Sequence, residues 1–167
     1  MIELRPGDIF CTENPMMLGR AINAVQAFWA PDSKAQYSHA GIITSVVGET
    51  FEGLWTIRHA TLAAYAGKQM IIGRNSGMGL NAYARGMGAV KRYEGRWYPV
   101  WRLVFHLIPP LAKYITNGRN PVCSELAARF LYGCGMLEYW TGVNPDNLAD
   151  MIHYWKAWDV VYEGVWK

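Results

Sequence analysis

Three side chains in this sequence are of the types that nucleophilic catalysis needs: Cys123, His39 and Glu52. A cysteine attacks as its thiolate, and a helix start or a neighbouring imidazole lowers the pH at which that thiolate forms. In Asn120-Pro121-Val122-Cys123 the asparagine reads as a helix N-cap and the proline as the first helical residue, which puts Cys123 third in the helix, inside the first turn. There the unpaired N–H groups and the dipole stabilise a thiolate, and the same donors suit an oxyanion. His39, in the stretch "QYSHAGIIT" (36–44), stands on the first residue of an apolar run. Taken alone, a histidine at a strand end is more often held structurally by a backbone carbonyl. Paired with a cysteine it becomes the group that takes and returns a proton. Such a pair needs a third residue to orient the ring. Glu52 is the first candidate, because a carboxylate between Phe51 and Gly53-Leu54-Trp55 needs a partner. Thr56 and His59 are the alternatives, His59 having more the character of a loop residue after Arg58.

The elements that must position these residues follow from the pattern of apolar and turn residues. Residues 7–13 after Pro6-Gly7 read as a first strand, with Cys11 inside it as a small buried hydrophobe. Met16, Met17, Ile22, Val25 and Phe28 recur at helical spacing over 16–28, and 29–37 reads as a loop. His39–Val47 is apolar and β-branched, a strand. A hairpin turn at Gly48-Glu49 would return the chain as a strand over Thr50–Trp55. That turn sets Glu52 near Val46, not opposite His39. A strand over 69–74 and a helix over 80–93 follow, the latter against the cost of its glycines, about 1 kcal/mol each in a helix interior. The Cys123 helix runs through Leu126, Phe130 and Leu131 to Gly133 or Gly135. Cys134 sits at its end, and eleven residues of helix hold it about 16 Å from Cys123, too far for a disulfide. Asn144-Pro145 opens a helix to about Ile152, and 158–162 reads as a last strand.

Composition bounds what this machinery serves. The 167 residues suit one domain spanning 1–167, and 51% hydrophobic against 17% charged residues is a globular balance. The eight Trp and ten Tyr suit a core, or a groove for an amphipathic ligand. The net charge of +3, from 16 Lys and Arg against 13 Asp and Glu, comes without a basic block, so nucleic acid is not an expected partner. No secretory leader is visible at the N-terminus, which points to a cytoplasmic protein, or to one carried to the cell envelope by another system. The apolar stretch 97–115 contains Arg102, His106, Pro109, Pro110 and Lys113. It reads as a partly exposed helical cap broken at the prolines, not an integral membrane span. Peripheral contact with a membrane or cell wall fits the mild positive charge. Three cysteines without a leader read as free thiols, and no paired Cys or His spacing supports a metal site or other cofactor.

Four segments taken together, "LRPGDIF" (4–10), "YSHAGII" (37–43), "FEGLW" (51–55) and "PVCSELAARFLYGCG" (121–135), resemble the circularly permuted papain-like hydrolases. These form the YiiX-like branch of the NlpC superfamily, related to the lecithin–retinol acyltransferase group. The order of a Gly-Asp strand, a Ser-His-x-Gly-Ile strand, a polar residue on the next strand and a Cys-Ser-Glu-Leu helix matches the permuted form, in which histidine precedes cysteine. "NPDNLADM" (144–151) is similar to the family's late proline-led helix, and 95–119 is the least matched part. Val122 departs from the aromatic residue often found before the family's cysteine. The resemblance implies an α+β, papain-like (permuted NlpC-type) fold, a small antiparallel sheet packed with helices. It also implies a cysteine hydrolase, an amidase or peptidase, in which Cys123 attacks, His39 shuttles the proton and Glu52 orients His39. Tyr37, Ser38, Trp55 and Ser124 flank these residues and are expected to line the substrate site, with the aromatic-rich 93–115 region shaping it. A cell-wall peptide or a lipid amide is the implied substrate. An acyltransferase or thioesterase running through the same acyl-enzyme, and a binding domain without activity, are the competing readings.

Overall fold

The computed structural model describes residues 2–13, 36–97 and 121–167. The helix expected over 16–28, the cap expected over 97–115 beyond Trp97, and the Asn120 cap lie outside these residues. Six strands, β1 (Ile9–Thr12), β2 (His39–Ile43), β3 (Glu49–Gly53), β4 (Ile57–Thr61), β5 (Gln69–Asn75) and β6 (Trp158–Val165), form one sheet in the order β4-β3-β2-β1-β5-β6. Every neighbouring pair is antiparallel. Three α-helices, α1 (Leu80–Val90), α2 (Cys123–Cys134) and α3 (Pro145–Tyr154), and two short 3-10 turns, Leu62–Tyr65 and Lys91–Tyr93, complete the described elements. The expected α+β architecture, a small antiparallel sheet packed with helices, is the one observed.

The central strands are buried on both faces, which is why β1 and β2 read as unbroken apolar runs rather than alternating ones. Ile9, Cys11, Ala40, Ile42, Phe51 and Ile71 form one side of the core with Leu126, Phe130, Leu148 and Ile152 of the helices. Phe10, Ile43, Met70 and Ile72 point the other way and pack with Leu4, Leu62 and Tyr65. Each such side chain contributes about 1.5–3 kcal/mol when fully buried. Helix α2 lies against β2 and β3 and crosses α1 closely. Gly86 makes that crossing possible: a Cβ there would stand 2.4 Å from the Cys134 sulfur and 2.7 Å from the Phe130 ring. Asp8 of the Gly-Asp segment is structural. Its two carboxylate oxygens each accept from the Arg74 guanidinium at 2.8 Å, and Oδ2 also accepts from the Arg5 amide at 2.8 Å, tying the N-terminal segment to β5.

Several expectations change in detail. The β2–β3 turn falls at Ser45–Gly48, earlier than the sequence suggested, with the Gly48 amide donating to Ser45. Gly41 then pairs with Glu52, so the carboxylate lies near His39 and not near Val46. The segment holding Thr56 and His59 is not a loop throughout, because Ile57–Thr61 forms β4. That strand escapes notice because it is the sheet edge and only Ile57 is buried on it. Helix α2 begins at Cys123 with Val122 as its cap, so Cys123 is first in the helix rather than third. The Glu125 carboxylate accepts from the Val122 amide at 3.2 Å and does there what a capping side chain does. The same sequence signal at Asn144-Pro145 holds as read: Asn144 caps α3 and accepts from the Asn147 amide at 2.7 Å. Among the described residues no helix is long and apolar enough to cross a membrane.

Candidate active site

His39 occupies the first position of β2, paired with Thr12 of β1, and the Ser38 amide closes the entry by donating to the Thr12 carbonyl at 3.1 Å. The side chain is fully buried. Its ring meets Phe10 edge-on at 5.9 Å and stacks on Tyr65 at 5.6 Å between centroids. The residue two further on is Gly41, whose partner on β3 is Glu52. Residues two apart on a strand share a face, and a diagonal cross-strand neighbour is within reach of a long side chain. The missing side chain at Gly41 leaves that diagonal open: a Cβ there would stand 2.5 Å from the Phe10 ring and 3.0 Å from the Glu52 Cβ. Glu52 Oε2 accordingly reaches His39 Nε2 at 2.7 Å, with side-chain exposures of 1% and 0%.

An ionised carboxylate only accepts, so Nε2 carries the proton and Nδ1 is the nitrogen that exchanges one. Nδ1 completes no hydrogen bond of full geometry, while the Cys123 side chain hydrogen-bonds with, and acts electrostatically on, the imidazole. Burial works against a charge on the ring, but Cys123 and Glu52 outweigh it and push His39 up to about 10. Burial likewise opposes the Glu52 charge, yet His39, Tyr65 and Arg58 hold its carboxyl below the usual carboxylate value. The arrangement therefore favours an imidazolium held against the Glu52 carboxylate. Cys123 opens a twelve-residue helix, where the dipole adds to the same preference. The other two thiols lack this setting: burial pushes Cys11 far up and Cys134 up to about 11.

The remaining candidates lie at varied depth. Tyr37 and Ser38, just before β2, and Ser124, second in α2, are buried, whereas Trp55 at the β3–β4 turn is 59% exposed. Burial, with Glu163, Cys11 and Asp146 adding to it, raises the Tyr37 phenol. His59 faces away from the site: its ring packs on Phe51 at 5.1 Å and lies 3.9 Å from Glu94. Two contributors carry no signal in the sequence. Arg58 stands opposite Glu52 in the β3–β4 register. Tyr65, in a 3-10 turn at Leu62–Tyr65, donates its hydroxyl to the same Glu52 oxygen at 2.6 Å. Neither follows from spacing, since both depend on the register of the edge strand.

Fold and site together define an α+β domain whose buried Glu–His pair meets the first residue of a helix. That fold is shared with a solved structure, the crystal structure of the metalloprotein yiiX from Escherichia coli O157:H7, described as DUF1105. The likeness has a TM-score of 0.63 at 16% identity and covers 99% of this chain and 99% of that one. No family model and no curated protein matches the chain. Among the described residues of this chain no three His, Cys, Asp or Glu side chains gather to hold a metal ion. At the site itself, Glu52 Oε2 is already shared by His39 and Tyr65. No step below passes through a metal.

Proposed function

We propose that this chain is a cysteine hydrolase of the permuted papain-like kind, an amidase or peptidase using Cys123, His39 and Glu52. The observation that carries the reading is the buried 2.7 Å contact from Glu52 to Nε2, which leaves Nδ1 to serve Cys123. In this mechanism the Cys123 thiolate attacks the amide carbonyl, and the N–H groups of the first turn of α2 face the developing oxyanion. The imidazolium gives its Nδ1 proton to the leaving amine, which departs and leaves a thioester on Cys123. Neutral His39 then takes a proton from water through Nδ1, the hydroxide resolves the thioester, and the acid is released with the thiolate restored. Glu52 keeps Nε2–H in place throughout. The substrate is a cell-wall peptide or a lipid amide, met in the cytoplasm or at the envelope. If an alcohol or amine enters in place of water, the same acyl-enzyme performs acyl transfer.

The test joins labelling to turnover. Iodoacetamide at pH 6 is expected to modify Cys123 before Cys11 and Cys134. Muropeptides and N-acyl lipids are then screened, with intact mass used to find a thioester on Cys123. A released amine that disappears in Cys123→Ala and in His39→Ala supports hydrolysis. Labelling of Cys123 no faster than the other two thiols, with no adduct across the panel, would remove the nucleophile assignment.

A further inference from the structure

We propose that Tyr65 is a positioning residue for the Cys123–His39–Glu52 machinery, selecting which Glu52 oxygen serves His39 and keeping that carboxylate ionised. The proposal rests on the catalytic reading above. It starts from an asymmetry in the carboxylate. Oε2 receives two donors, the His39 Nε2–H at 2.7 Å and the Tyr65 hydroxyl at 2.6 Å, while Oε1 is buried with no hydrogen-bond partner. A buried carboxylate with a single donor is costly to ionise and free to rotate about its last torsion. The second donor on the same oxygen removes both problems. Packing alone does not need the hydroxyl: the Tyr65 ring already fills the space against Phe10 at 5.5 Å and stacks on the His39 ring, and Phe would do the same.

The backbone holds Tyr65 to the strands it serves. The Leu62 amide donates to Gly48 of the β2–β3 turn at 2.9 Å, and the Ala63 amide to the Thr61 hydroxyl at 3.4 Å. The 3-10 turn therefore moves with the hairpin that carries both His39 and Glu52. The titratable and charged groups around the carboxylate are His39 from β2, Arg58 from β4, Tyr65 from this turn and, through the imidazole, Cys123 from α2. Of these, Tyr65 donates its hydroxyl to the carboxylate and stacks on the ring it orients.

Tyr65→Phe removes the donor and keeps the ring. Two readouts are taken on the full chain. In histidine-labelled protein, the strongly hydrogen-bonded Nε2 proton of His39 is expected far downfield in the wild type and displaced from that position in Tyr65→Phe. With an amide substrate, kcat is expected to fall about tenfold. The acid limb of its pH profile should move up by about one unit, because Glu52 protonates more readily once it loses a donor. An unchanged proton signal and an unchanged acid limb, in a wild type that Cys123→Ala inactivates, overturn the role of Tyr65 and leave the hydrolase reading intact. A shifted proton signal in a protein that cleaves no amide upholds the Tyr65 contact and counts against the hydrolase reading. If Tyr65→Phe does not fold, Glu52→Gln reads the same contact from the other side. A displaced Tyr65 Cζ resonance upholds the proposal, and an unmoved one overturns it.

Discussion

Glu52 is a full carboxylate at 1% exposure, and its effect on His39 separates two roles that a neutral residue would merge. A neutral acceptor can hold the imidazole in one tautomer, but only a charge also favours the imidazolium that accompanies a thiolate. Glu52→Gln keeps the size and the acceptor and removes the charge. Activity is expected to fall about 10- to 1000-fold, a barrier of roughly 1.4–4 kcal/mol. Thiol labelling at pH 6 should fall with it. His59→Ala is the contrasting variant, since that ring lies against Phe51 and reaches Glu94 instead of the site. If the glutamine variant turned over at the wild-type rate while His59→Ala did not, Glu52 would lose its role. The loss of activity at high pH follows from the same pair. In the proposed mechanism a protonated His39 releases the amine, and its value of about 10 places that loss far above the ordinary histidine range.

At the scale of elements, the site depends on a diagonal across β2 and β3 that only a glycine leaves open. Gly41→Ala adds one methyl, 2.5 Å from the Phe10 ring and 3.0 Å from the Glu52 Cβ, in a region with no spare volume. The expected cost is about 1–3 kcal/mol of stability, with a larger loss of Cys123 labelling than the melting shift alone explains, because Glu52 is pushed off its line to His39. A variant that melts and labels like the wild type would show that the diagonal tolerates displacement. This geometry also marks what a reader of the sequence can and cannot see. The places of His39 and Cys123, at a strand start and a helix start, are legible as local features, but residue type alone leaves each more simply structural, and the family resemblance is what singles them out as a pair. Glu52 was legible as a carboxylate wanting a partner, but its register was not. The turn tightens at Ser45–Gly48 through hydrogen bonds that Val46-Val47, an apolar pair 68% and 78% exposed, disguises as strand. The cap of α2 is hidden for a related reason, since the Glu125 carboxylate acts from inside the helix. Strand β4 and Tyr65 were invisible because an edge strand with one buried residue carries no periodic signal.

For the whole molecule, a buried ion pair is poor evidence of stability. Desolvating two charges costs several kcal/mol, and well-packed neutral substitutes often do as well or better. The pair is therefore expected to make the fold sensitive to acid, which can be read against the double variant His39→Gln/Glu52→Gln. Glu52 titrates lower in the folded chain than its ordinary value of 4.5, so the stability it contributes is present above that value and is lost as pH falls through the folded value. His39 titrates higher when folded, so its contribution is complete below its ordinary value of 6.5 and adds no slope in acid. A Cys123 thiolate kept by the fold would be protonated in the same direction as Glu52 and would steepen the loss. Urea unfolding of both proteins at pH 6, 4.5 and 3 should therefore show the wild type losing ground steadily to the double variant below pH 4.5. At pH 3 the neutral pair should be at least as stable as the native one. A difference that stays constant from pH 6 to pH 3 would mean that Glu52 is not held ionised by the fold, and the His39 imidazolium would lose its carboxylate partner.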